Sequence, residues 1–340
     1  MSTSQTLIES EVDFDRDGKQ CGFLRLPHSV HRSAYGWLPI PIVCMKNGDG
    51  PSVLAMAGNH GDEYEGQVAL SKLINNLEAA DIQGRLIILP MANFPAAHAG
   101  LRTSPIDEGN LNRSFPGNPV GTPTMMIAHY IEEELFPRCD LMMDLHSGGS
   151  SLMYIPSVQA ELQSDGTLDP RTRQLVEAFA APITQVYAVG SESRMSECGA
   201  RRKGLINFTT ELGGTGTVTP QALAVAEAGI RRALHAFGIL KTLGPEVPPA
   251  PKTRYVEVAG SEHYCYAYDE GLFEPLVELG DQVQPGDLAA LVHFPETPWR
   301  EPARAIFESD GVVICKRVPG RVQRGDCLFH LGRDWSVESP

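Results

Sequence analysis

His60 and Glu63 stand three residues apart in Met56-Ala57-Gly58-Asn59-His60-Gly61-Asp62-Glu63-Tyr64-Glu65-Gly66. At a turn from strand to helix, that spacing lets an imidazole and a carboxylate reach one ion. An imidazole and a carboxylate are the first requirements of a catalytic zinc site, which takes a third protein ligand and keeps a fourth position for water. The third candidate is His146, in Leu141-Met142-Met143-Asp144-Leu145-His146-Ser147-Gly148-Gly149, where it ends an apolar run. A His-x-x-Glu pair alone is commonplace on helix surfaces. Here, however, the pair sits in a glycine-flanked turn at the C-terminal end of a buried strand, where open α/β sheets place their sites. Ser147-Gly148-Gly149 is backbone that a ligand can approach closely. Asp144 shares the strand face of His146. It reads either as a group that orients a ligand from behind or as a structural carboxylate.

Other polar residues lie in a long irregular segment, 91–122, rich in Asn, Gly and Pro. Loops of that length inside a compact domain tend to be functional. Arg113, beside Asn112, is suited to grip a carboxylate through paired hydrogen bonds. Arg102 is expected nearer the metal, where it would meet a developing oxyanion. Solvated surface arginines are the plainer alternative.

The elements that must position these residues follow from periodicity. Residues 1–50 read as β-structure, with strands at 23–26 and 41–45 and a turn at 47–51. Residues 52–57, 85–90, 141–146, 152–155, 183–189 and 205–212 are apolar runs that read as strands. Helices are expected at 63–80, 122–136, 170–181 and 220–240, and 190–204 is polar and glycine-containing. Apolar strands alternating with amphipathic helices predict an α/β sheet covered on both faces. The proline-rich stretch 244–251 has the composition of a linker. It suggests a catalytic domain over 1–250 and a β-rich domain over 251–340.

Taken together, His60-Gly-Asp-Glu63, Arg102, Asn112-Arg113, Asp-Leu-His146 and Glu211-Leu-Gly-Gly resemble the succinylglutamate desuccinylase/aspartoacylase family, relatives of the zinc carboxypeptidases. The resemblance covers residues 40–240 and implies a zinc-carboxypeptidase-like mixed sheet. By position it implies one Zn2+ per chain held by His60, Glu63 and His146, with Glu211 as catalytic base and Arg102 polarising the substrate carbonyl. It makes Asn112 and Arg113 the carboxylate clamp. Family members also carry a basic residue about ten positions before the catalytic glutamate, which here falls on Arg201, with Arg202 adjacent. The wording from Arg102 to Gly117, together with the tail, is most similar to members that remove acetyl from an N-acetylated diamino acid. Two arginines near such a substrate's ammonium would repel it. Its acceptor is open among Asp107, Glu108 and Glu197.

Within the tail, 271–288 is echoed by 311–328, as in the two halves of a biotinyl/lipoyl-type barrel-sandwich. The intervening Pro295-Glu296-Thr297-Pro298-Trp299-Arg300 has no lysine, so the resemblance implies the fold without an attached cofactor. The tail is expected to cap the cleft or to build a subunit contact, as in a homodimer.

Composition narrows the function. A net charge of -14 argues against nucleic acid as partner, although a local arginine cluster still suits a small anion. Seven scattered cysteines without a CxxC pair suggest neither a disulfide framework nor a cysteine metal site. No apolar run reaches membrane-spanning length, and the first 30 residues lack the apolar core of a signal peptide. The expectation is a cytoplasmic enzyme, without membrane or nucleic-acid partners, that hydrolyses a small N-acyl amino acid. A desuccinylase or a carboxypeptidase is the enzymatic alternative. The non-enzymatic one is a binding module on a degenerate hydrolase scaffold.

Overall fold

The computed structural model describes residues 6–188, 194–244, 246–258 and 260–336. Strands Gly84–Leu89, Ser52–Ala57, Leu141–His146 and Ile206–Glu211 lie side by side, all parallel. Their apolar sequences suit this central position, because every residue of Ser52–Ala57 and of Leu141–His146 is buried. The register matters for chemistry. Ala57 pairs with Leu145, and Glu211 pairs with His146, so three adjacent strands finish level with one another. Antiparallel strands flank this centre, Trp37–Asn47 against Gly84–Leu89 and Ser157–Glu161 against Ile206–Glu211.

Alternation along the strands divides the core in two. Val53, Ala55, Ala57 and Leu145 pack under helices Tyr64–Asn76, Pro170–Phe179 and Pro220–Ala236. Leu54, Met56 and Met142 face the other way, onto helix Pro123–Tyr130 and Ala200 of helix Ser196–Arg202. The sheet is therefore mixed, with helices on both faces, as the alternation of elements predicted. Leu70 and Leu73 anchor the helix behind His60, each contributing about 1.5–3 kcal/mol by burial. Among the described residues no helix is long and apolar enough to cross a membrane.

Several boundaries differ from expectation, each for a local reason. The helix expected over 63–80 stops at Asn76, and Leu77 turns extended to bury its side chain. Asn75 and Asn76 are poor helix interiors, because their amides compete for backbone groups. The segment 91–122 is not wholly irregular. It holds helix Phe94–Ala99, with proline in its first turn and Gly100 left-handed at its end, and a 3-10 turn at Leu111–Arg113. The helix expected over 122–136 is α-helical only over Pro123–Tyr130. It continues as a π-turn, Ile131–Leu135, and a 3-10 turn, Phe136–Arg138. Ser157–Glu161 forms a strand that its polar composition hid, with Val158 and Ala160 alternating into the core and Ser157 buried at its start. Strand Ile183–Tyr187 is shorter than the run 183–189, and residues 189–193 lie outside the described residues. Helix Ser196–Arg202 occupies part of the segment 190–204 that read only as polar.

The last part of the chain is strands and turns, as expected. One sheet orders Ala303–Ile306, Leu288–His293, Gly271–Pro275 and Arg321–Val322. It packs against Gly311–Arg317 and Cys327–Asp334 around Val292, Ala305, Phe307, Val313 and Phe329. The change in composition near 250 does not interrupt the main sheet. Arg254–Glu257 pairs with both Ile183–Tyr187 and Cys327–Asp334, and Gly311–Arg317 pairs with Leu152–Tyr154.

Gly61 fixes how the turn sits. A Cβ on Gly61 would lie 2.1 Å from the Ala96 carbonyl carbon and oxygen, and its N–H donates to Leu101 O at 2.9 Å. The His60 turn is thus seated directly on helix Phe94–Ala99. Gly61→Ala should lower stability by about 1–3 kcal/mol, the usual cost of overpacking a close contact. Urea unfolding of the variant checks this; an unchanged midpoint would mean that the turn can move freely.

Candidate metal centre and active site

The parallel register brings three strand ends together, and the turn after Ala57 places His60 and Glu63 beside them. Glu63, 3% exposed, lies between two imidazoles. Its Oε1 is 2.7 Å from His60 Nδ1, and its Oε2 is 2.8 Å from His146 Nδ1. One ligating atom from each of the three residues lies within 4.8 Å of the others. Two imidazole nitrogens and a carboxylate, converging from separate segments, form a donor set that fits a divalent metal such as zinc.

The far side of each imidazole is also fixed. His146 Nε2 is 3.0 Å from Asp144 Oδ2, and His60 Nε2 is 3.2 Å from Asn110 Oδ1. With a metal in place, donation from Nε2 to these oxygens would leave both Nδ1 lone pairs free for the ion, the tautomer a metal ligand requires. Asp144 is itself held by Asn59 Nδ2 at 2.8 Å and by the Ser196 hydroxyl at 2.6 Å. Burial works against charge on Asp144, but His146 outweighs it and holds the carboxyl below its usual range. Glu63 is likewise lowered, with His60 and His146 overcoming its burial. Asn59 and Ser196 did not stand out in the sequence, although Asn59 adjoins His60.

The segment 91–122 delivers its polar groups to the same place. Arg102 Nη1 lies 3.5 Å from Glu63 Oε1, with the guanidinium half-exposed at the mouth of the cleft. Asn112 is buried, and its Oδ1 accepts from Ser196 N–H at 2.8 Å. The amide NH2 is then the group Asn112 can offer a bound molecule. Arg113 is exposed and lines the cleft while donating to Asn112 O at 2.7 Å. Arg201 is different. It pairs with Glu161 and lines a separate depression, while Arg202 forms a two-bond pair with Glu132. The expected substrate-binding role of Arg201 is corrected accordingly: its helix turns both arginines outward. Asp107 is occupied by the Thr124 N–H and hydroxyl, at 2.8 Å each.

These residues line a cleft of about 410 Å³, to which Tyr154, Gln159, Gln185 and Thr209 also contribute. From the C-terminal strands come Val258, Tyr264 and His330, so the tail forms part of the wall. The His330 and Tyr264 rings stack at 4.2 Å, and burial, then His263, pushes the His330 imidazole down to about 3. It is a neutral wall at working pH. No single segment marked it, because its nearest sequence signal is one histidine in an apolar strand.

Fold and site together are those of a hydrolase of the α/β class with a donor set fit for a metal, and comparison with known proteins identifies its family. The chain belongs to the succinylglutamate desuccinylase/aspartoacylase family, whose catalytic domain matches residues 49–237. It is 42% identical to the N-alpha-acetyl-L-2,4-diaminobutyric acid deacetylase of Halomonas elongata over 94% of this chain and 93% of that protein. Among solved structures it resembles the product-bound ectoine utilization protein EutE (DoeB) from Ruegeria pomeroyi, with 39% identity and a TM-score of 0.92. That match covers 96% of this chain and 99% of the other. A succinylglutamate desuccinylase from Silicibacter sp. is also 39% identical, with a TM-score of 0.91, covering 96% of this chain and 98% of its own.

Glu211 faces His146 across the sheet and lines the cleft, and its Oε2 has no hydrogen-bond partner. Burial, reinforced by the negative charge of Glu63, pushes its carboxyl up to about 8. Folding of the metal-free chain therefore raises this pKa. Between the ordinary carboxylate value and about 8, the folded state holds more protons than the unfolded state, so stability falls as pH rises. Glu211→Gln removes that contribution. In chelator-treated protein, the melting temperature of the variant should gain on the wild type from pH 5 to pH 8. Calorimetry across that range is the check, and a constant difference would contradict the shift.

Proposed function

We propose that this chain is a zinc-dependent deacetylase that hydrolyses N2-acetyl-L-2,4-diaminobutyrate to acetate and the free diamino acid, in the cytoplasm, as a step of ectoine breakdown. The observation that carries the reading is the register of Glu211 opposite His146, one strand from the His60–Glu63 turn. It sets a carboxylate without a partner beside a three-donor metal set. The full-length likeness to the Halomonas deacetylase supports the substrate.

His60, Glu63 and His146 would hold zinc, which when bound supplies Lewis acidity and lowers the pKa of water to about 7. Asn112 and Arg113 orient the substrate by its carboxylate, so that the acetyl carbonyl is presented within reach of Glu211. Glu211 takes a proton from the attacking water and passes it to the departing amine nitrogen. Arg102, held at the mouth by Glu63, faces the oxygen on which negative charge develops. Asp144 keeps His146 in one tautomer. The tail, read as a barrel-sandwich domain over 251–340 without an attachment lysine, narrows the cleft through Tyr264 and His330.

A desuccinylase is the second reading, given the Silicibacter relative. A succinyl group brings an extra carboxylate and calls for a further cation. Among the described residues, the arginines lining the cleft are Arg102 and Arg113, with Arg201 turned away. That favours acetyl.

Free-amine release from acetyl-diaminobutyrate, acetyl-aspartate, acetyl-ornithine and succinyl-glutamate tests the substrate, with the first expected to be preferred. Preference for succinyl-glutamate would install the second reading. Alanine at His60, Glu63 or His146 should remove bound zinc and activity together, measured by elemental analysis; a variant that keeps its zinc is not missing a ligand. Glu211→Gln should keep zinc while kcat drops by about 10²–10⁴, the range for general acid–base catalysis. Arg113→Ala should raise KM and lower kcat, with lysine restoring only part, because it lacks the planar fork. An acetylated amine without a carboxylate that proved as good a substrate would remove the clamp.

A further inference from the structure

Glu197 sits on the wall of the cleft, 4% exposed, one residue along from Ser196. Its Oε2 accepts from the Ser196 hydroxyl at 3.3 Å. Tyr187 on the same wall also hydrogen-bonds it, and no Lys, Arg or His forms a salt bridge with it among the described residues. Burial raises its carboxyl above the ordinary value against the opposing charge of His146. The same helix carries Arg201 and Arg202, yet both guanidinium groups are committed elsewhere, to Glu161 and Glu132. A carboxylate enclosed without a counterion is costly. Neither the metal set nor the proton transfer proposed above gives it a task.

We infer that Glu197 binds the side-chain ammonium of the substrate and is the residue by which this cleft selects N-acetylated diamino acids over neutral analogues. The inference rests on the deacetylase reading. Its geometry comes from Ser196, whose N–H donates to Asn112 Oδ1 and whose hydroxyl, donating mainly to Asp144 at 2.6 Å, also lies 3.3 Å from Glu197 Oε2. One residue thereby ties the group that receives the substrate carboxylate to the group that receives the ammonium. Asn112, Arg113 and Glu197 line the same cleft, as a substrate carrying both a carboxylate and an ammonium requires. Of the other carboxylates, Asp107 caps the helix of Thr124, Asp144 holds His146, and Glu211 is assigned above to proton transfer beside the metal set. The outward turn of Arg201 and Arg202 also removes the repulsion that an ammonium would otherwise meet.

The test compares zinc-loaded wild type and Glu197→Gln on N2-acetyl-2,4-diaminobutyrate and on N-acetyl-2-aminobutyrate, which lacks the ammonium. Wild type should favour the first by about 10²-fold in kcat/KM, within the range for removing one partner of a buried charge pair. In Glu197→Gln that preference should collapse, with far less loss on the neutral substrate, and Glu197→Asp should retain part of it. Calorimetric binding of the products 2,4-diaminobutyrate and 2-aminobutyrate should show the same loss of discrimination without turnover. Equal loss on both substrates would mean that Glu197 only supports Ser196 and Asn112, and would overturn the inference. So would a wild type that does not discriminate while still deacetylating both. A zinc-loaded wild type inactive on every N-acetyl amino acid would instead overturn the deacetylase reading, and this inference with it.

Discussion

The pairing of Glu63 with two imidazoles is the interaction on which the rest of the site depends. A carboxylate at 3% exposure is strongly disfavoured unless positive or hydrogen-bonding groups surround it. His60 and His146 meet it at 2.7 and 2.8 Å, and Ser147 N–H donates to the same carboxylate at 3.2 Å. Those partners come from two strand ends that lie level only because Ala57 and Leu145 are in register. The sheet therefore has little freedom to slip. A shift of one residue would turn His146 to the opposite face and leave Glu63 buried without its second partner. Backbone pairing and site electrostatics specify the same alignment, which is how a site with few side chains can be held rigid.

Rigidity is carried outward through polar contacts in series. Asp144 fixes His146, Asn59 and Ser196 fix Asp144, and Ser196 also fixes Asn112. The proposed metal set and the proposed clamp thus share one supporting network. Displacing helix Ser196–Arg202 would disturb both together. The tail acts on the same cleft from a different direction. Its strands extend the main sheet through Arg254–Glu257, so Tyr264 and His330 are held by continuous backbone pairing.

Much of this was legible in the sequence, and the residues that were missed share a cause. His60, Glu63 and His146 could be read because His146 ends an apolar strand and the His60–Glu63 turn directly follows another, where a charged or imidazole group contradicts packing unless it has a task. The strands that bear them were read from unbroken hydrophobic runs, which report burial on both faces directly. Asn59, Asn110 and Ser196 carry no such contradiction. Small polar residues suit turns and caps everywhere, and only the folded register shows that these three meet the site. Arg201 shows the converse. Its distance along the chain from Glu211 suggested the cleft, but a helix rotates successive side chains by a large angle, and Glu161 captures this one. Spacing along a helix predicts a face only once the helix itself has been found, and Ser196–Arg202 was hidden in a polar stretch.

The balance of charge explains why the cleft is arranged to receive cations despite its anionic surroundings. Glu63, Asp144, Glu197 and Glu211 all border it or its lining. The positive groups that answer them are Arg102 and the raised imidazole of His146, while Arg113 stands at the exposed edge. Burial raises the Glu211 carboxyl most, and the neighbouring negative charge of Glu63 adds to it, so proton uptake relieves both. A divalent ion between His60, Glu63 and His146 would supply what that proton supplies, and would do so next to Glu63, the main negative neighbour of Glu211. Filling the metal set and freeing the base are then one electrostatic event. A cation in the metal set would therefore offset the Glu63 charge that, after burial, does most to raise Glu211.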